Sequence, residues 1–125
     1  MIMLLSDIYN TAAALISEAP DGADNADLQE KAVFLLYQII SELTPLHNAA
    51  TGEEAEYPSS FASLTETFPL CDGLAHVCSY KLAYLLAADE DTVLYTVLRG
   101  EYENAKKSFI EALSADISGI KNVYA

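Results

Sequence analysis

Two histidines, two cysteines and several clusters of acids are the side chains here with chemistry to offer, and their spacing decides which chemistry is open. Cys71, His76 and Cys78 make the tightest group, in the pattern C-x4-H-x-C. A structural zinc site takes four ligands in two short pairs, and no second pair accompanies this one. A cysteine or serine nucleophile needs a positioned base. His47 and His76 are the two imidazoles, neither lies in a motif, and the chain has no G-x-S-x-G and no glycine-rich phosphate loop. Asp21, Ala23, Asn25 and Asp27 alternate as in a calcium loop, with Glu30 behind them. The third position of such a loop must supply oxygen and the sixth must be glycine. Ala23 takes the third place and Gly22 falls at the second, so the turn reads as solvated. Glu53, Glu54 and Glu56 read as a loop kept soluble, and nothing singles out a carboxylate pair for acid–base work. No catalytic residue, no metal ligand and no cofactor is predicted, and an enzyme is not the expectation.

The elements that hold these residues are helical. Ser6 is an N-cap type, and Ile8, Ala12, Leu15, Ile16 and Ala19 follow at helical spacing, predicting a first helix over 7–18. A second is expected over 26–44, ahead of Pro45, with Leu28, Ala32, Leu35, Ile39 and Leu43 on one face. Residues 45–70 keep no period; a functional loop, a mobile one, and a short strand near Ser60–Thr65 all remain open. Asp72 is set to cap a third helix over 73–88. After the break at Asp89-Glu90-Asp91, a fourth is expected over 92–113, lined by Val93, Val97, Ala105, Phe109 and Ala112. Glu103 and Lys107 form an i,i+4 pair in that helix, and Gly100 is its weak point. The expected fold is all-α: a compact bundle of about four helices, with a long irregular connection between the second and third. Residues 1–113 form the single domain and 114–125 a frayed tail.

Bulk properties bound the class. The 125 residues are 52% hydrophobic and 20% charged, the composition of a packed globule. Nineteen acids against six bases leave −13, and residues 1–70 carry eleven acids with Lys31 as the single base, a net of −10. Such a surface repels phosphate backbones, so direct, sequence-specific nucleic-acid binding is not expected. The apolar opening Met1 to Leu5 has no preceding base and stops at Asp7, unlike a signal peptide. The longest apolar run, Leu82 to Ala88, falls far short of the roughly 20 residues a membrane span needs. Cys71 and Cys78 are able to pair in principle, but reduced thiols in an intracellular chain are the plainer reading.

Apolar surface is in excess. Lys81 is the one charge between Asp72 and Asp89, and none lies between Lys31 and Glu42, so two helices are apolar nearly all round. Either they form a central hairpin wrapped by the other two, or one face is covered by another subunit. On the second alternative the candidate interface is Leu35, Tyr37, Ile40, Tyr80, Tyr84 and Leu85. Eight tyrosines without tryptophan lean the same way, since tyrosine tolerates half-wet contacts.

Three segments together resemble a known family. Leu5-Ser6-Asp7-Ile8-Tyr9 with Ala14-Leu15-Ile16-Ser17-Glu18 is similar to the first helix of small phage and prophage head–tail connector proteins. The stretch Leu64 to Leu74 resembles their linker, in which an apolar-proline-apolar step and an aspartate lead into a helix. Tyr80 to Leu86, and then Gly100-Glu101-Tyr102-Glu103, resemble the two helices that follow. Members often have Tyr-Gly where this chain has Tyr80-Lys81. The resemblance implies a structural subunit packing as a homo-oligomeric ring at the portal, with portal or tail proteins as partners. It places the chain in the bacterial cytoplasm or the virion, where an acidic wall would let DNA slide. The alternative from charge alone is a small acidic adaptor or inhibitor docking on a basic partner.

Overall fold

The computed structural model describes residues 3–16, 26–54, 61–88 and 91–123, with side chains through Leu113 in the last segment. Among them are four α-helices: α1 (Leu5–Leu15), α2 (Ala26–Thr51), α3 (Ala75–Ala87) and α4 (Thr92–Val123). A 3-10 turn, Asp72–Leu74, leads into α3. The described residues hold no strand, only an isolated antiparallel bridge between Leu4 and Thr67. The all-α bundle expected from the sequence is the fold.

α3 is the hub. α4, α1 and α2 all pack on it, whereas α1 and α2 barely touch. Its buried residues are Val77, Cys78, Ser79, Leu82, Ala83, Tyr84, Leu86 and Ala87, which leaves little of its circumference dry-facing water. One helix rather than a hairpin therefore sits at the centre. α1 gives it the stripe Leu5, Ile8, Tyr9, Ala12 and Ala13, and α2 gives Ala32, Leu36, Ile39, Ile40 and Leu43.

The first helix starts earlier than Ser6 predicts, because Leu4 caps it and the distant segment 64–66 accepts the amides of its first turn. Leu4 is the N-cap residue, and its own N–H donates to the Asp7 carboxylate at 2.8 Å. The next orphan donors go to the far segment: Leu5 N–H to the Glu66 carbonyl at 2.9 Å and Ser6 N–H to the Leu64 carbonyl at 2.8 Å. Phe68 N–H returns to the Met3 carbonyl at 2.8 Å, and Phe68 itself is buried.

α2 does not stop before Pro45; the proline lies inside it. An interior proline removes one ladder bond and costs about 3 kcal/mol. What lies beyond offsets that cost: Leu46 packs on the core and His47 is buried. The Pro45 ring is exposed, so it displaces no neighbour. The helix ends instead at Gly52, whose φ of 77° is the left-handed C-terminal cap that glycine adopts freely. Its N–H reaches the Asn48 carbonyl at 2.9 Å.

α4 begins at an aspartate, with Asp91 Oδ1 accepting the Leu94 N–H at 3.0 Å. Its backbone stays helical to Val123, ten residues past the expected end at 113. The stripe it buries is Leu98 and Tyr102, flanked by Leu94, Tyr95, Ala105 and Phe109. Val93 and Val97, expected on that face, are 76% and 55% exposed, and Ala112 is exposed too. Residues one position apart on a helix differ by about 100° in direction, so the leucines face α3 and the valines face away. Lys107 lies 3.8 Å from Glu111, the next turn on, instead of pairing with Glu103. Gly73 admits the Phe109 ring: a Cβ there would stand 3.1 Å from Phe109 Cε2.

Candidate functional site

The cysteine–histidine group does not converge. Cys78 is fully buried on α3 and burial pushes its thiol far above the ordinary 9.0; His76 points outward and Cys71 is half-buried. Among the described residues no three His, Cys, Asp or Glu side chains gather as metal ligands would. The acidic turn 21–25 and Glu56 lie outside the described residues.

A different histidine is positioned. His47, only 4% exposed, accepts the Cys71 N–H at Nδ1 over 2.9 Å, and its Nε2 meets Glu53 Oε2 at 2.9 Å. An Nδ1 that accepts carries no proton, so Nε2 holds it and donates to the carboxylate. Both ring nitrogens are thus engaged, and neither is left to deprotonate a nucleophile. The arrangement is a clip. It ties the last turn of α2 and the Gly52–Glu53 bend to the residue that opens the 3-10 turn before α3. Sequence reasoning missed it because 24 residues separate its two ends.

The second constellation joins three helices around Lys81, the lone charge of α3. Its Nζ pairs with Glu42 on α2 and lies 5.1 Å from the ring centroid of Tyr102 on α4. Lys106 Nζ approaches the same ring at 5.8 Å. Burial works against the Lys81 charge, yet the Glu42 hydrogen bond and the Tyr102 and Tyr84 hydroxyls outweigh it, holding the ammonium above its usual 10.5. Tyr84 stacks edge-on against Tyr95 at 5.4 Å and tilts against Tyr102 at 5.6 Å. Burial raises the Tyr84 hydroxyl as well. Lys81 is therefore a helix-to-helix tie.

The candidate interface residues divide. Ile40 is wholly buried and Tyr84 is 8% exposed, both inside the chain's own core, so neither offers a face to another subunit; this corrects the expectation for those two. Leu35, Tyr37, Tyr80 and Leu85 are half-buried, with Leu35, Tyr80 and Leu85 packed on the core. The apolar surface that stays open is elsewhere. Phe34 on α2 is 63% exposed, beside a cleft of about 590 Å³ lined with Val33, Phe61, Leu64 and Glu30. Val93 and Val97 stand on the outer face of α4.

No helix among the described residues is long and apolar enough to cross a membrane. Set against known proteins, the chain matches no family model, no curated protein and no solved structure.

Proposed function

We propose that the chain is a structural assembly subunit, working through protein–protein packing in the manner of the phage-type head–tail connector it resembles. The observation that carries this reading is the apolar surface left on two outer helix faces, Phe34 on α2 and Val93 with Val97 on α4. Val93 and Val97 stand one turn apart on the same face, and exposed apolar side chains grouped in this way are the kind of surface another protein covers. The ties within the chain serve the same end: the His47 clip and the Lys81–Glu42 pair join one helix to another and occupy the polar atoms that form them. Light scattering behind a sizing column, across protein concentration and at low and moderate salt, tests it. A discrete species heavier than the 13.5 kDa chain is the expected result. A strict monomer at every concentration removes self-assembly and leaves the acidic adaptor. Exposed Asp7, Asp27, Glu30, Glu42, Glu53 and Glu54 on the N-terminal part favour that second reading. Binding to a basic partner that weakens steeply with salt would be its mark.

A further inference from the structure

We infer that α4 pairs with α4 of a second copy of this chain, antiparallel, with the helices crossing at Gly100. The inference rests on the assembly reading and names one contact that assembly uses.

Three observations converge on the outer face of α4. Val93, Thr96, Val97, Gly100 and Asn104 recur at helical spacing there and are all exposed. None is charged, in a chain of net −13 whose other exposed helix positions include Asp7, Asp27, Glu30 and Glu42. Two copies of so acidic a chain repel one another over most of their surface, and repulsion is least where a face is neutral. A basic partner would choose the acidic faces instead, which argues for a second copy here.

Gly100 is the second observation. Glycine inside a helix is destabilising, and no contact within the chain requires it: a Cβ at 100 meets nothing within 4 Å. Absence of a side chain at that point serves the close approach of another backbone.

Charge complementarity is the third. Arg99 and Glu103 flank Gly100 on one side of the stripe, are exposed, and form no ion pair with any described residue. A two-fold axis through Gly100 brings Arg99 within reach of Glu103 of the second copy, and by symmetry the reverse. The same axis sets Val97 beside Asn104 of the second copy. A parallel pair in register would instead put Arg99 of one copy and Glu103 of the other on opposite sides of the contact, out of reach of one another. Such a contact is isologous and saturates at two copies, so a ring built from this chain draws on another face as well.

The test uses the full chain and sedimentation over a wide concentration range, with circular dichroism melts alongside. The wild type should reach twice 13.5 kDa. Gly100→Leu should weaken pairing roughly tenfold or more, with no loss of melting temperature in dilute, monomeric protein, since the added side chain enters open space there. Arg99→Glu and Glu103→Arg should each weaken it, and the two together should restore it. Oligomers indifferent to Gly100→Leu and not rescued by the double exchange would overturn this contact while leaving the assembly reading intact. A wild-type monomer throughout would overturn both.

Discussion

α3 and the first three turns of α4 are written in similar residues and come to opposite terms with water. α3 carries Val77, Leu82 and Leu86 inward and is covered on nearly every side. α4 carries Leu94, Leu98 and Tyr102 inward, while Val93 and Val97, one residue away from the leucines, stand in solvent. The difference is position in the bundle, not composition. A helix with three neighbours buries whatever it bears, and a helix with one buries a stripe. Apolar content therefore says that a helix has something to hide, and only the packing says from whom.

That contrast can be broken most forcefully on α3. Leu82→Ala, at a fully buried site, should cost about 2–5 kcal/mol in denaturant unfolding. A loss below that range would mean that α3 is less enclosed than its burial indicates. A middle-sized effect belongs to the titrating groups on the same helix. Cys78, Tyr84 and Lys81 are all raised in the folded chain. The unfolded thiol gives up its proton near 9.0 while the folded one keeps it, so rising pH favours unfolding. The stability they lend is complete below 9.0 and falls above it, with Tyr84 and Lys81 adding to the decline past 10.0 and 10.5. Melting temperature should drop through that window, and Cys78→Ala should flatten its first part. An unchanged profile in that variant would remove Cys78 as the cause. The smallest effect lies on α4, where Val93→Ser and Val97→Ser should each change monomer stability by no more than about 0.5 kcal/mol. A larger loss in dilute, monomeric protein would place these valines against some part of the chain itself.

What was legible in the sequence was whatever is settled within a few residues. α4 opens at Thr92, where the acidic break placed its start, and the α2 stripe through Ala32, Ile39 and Leu43 follows its period. What was hidden depends on residues far away along the chain. Pro45 signals a helix end only if nothing beyond it is worth packing, and His47 is. Gly52 was the better stop signal, since it alone supplies the left-handed cap. Ser6 has the right chemistry for an N-cap, but the Glu66 and Leu64 carbonyls accept the Leu5 and Ser6 amides, so the helix begins before Ser6 and Ser6 lies in its first turn. The choice between valines and leucines on α4 needs the location of α3. Of the candidate interface, Ile40 and Tyr84 were misplaced for the same reason: their helices read as surplus surface until the third dimension closes over them.

The seam between Met3–Ser6 and Leu64–Phe68 has a consequence for timing. On a growing chain, α1 leaves the ribosome well before the carbonyls that receive its first amides have been made. Its leading end therefore waits, donors open, until α2 has been synthesised and the backbone has doubled back. Hydrogen exchange at the Leu5 amide thus reports closure of that whole loop, and not the helix–coil balance of α1 alone.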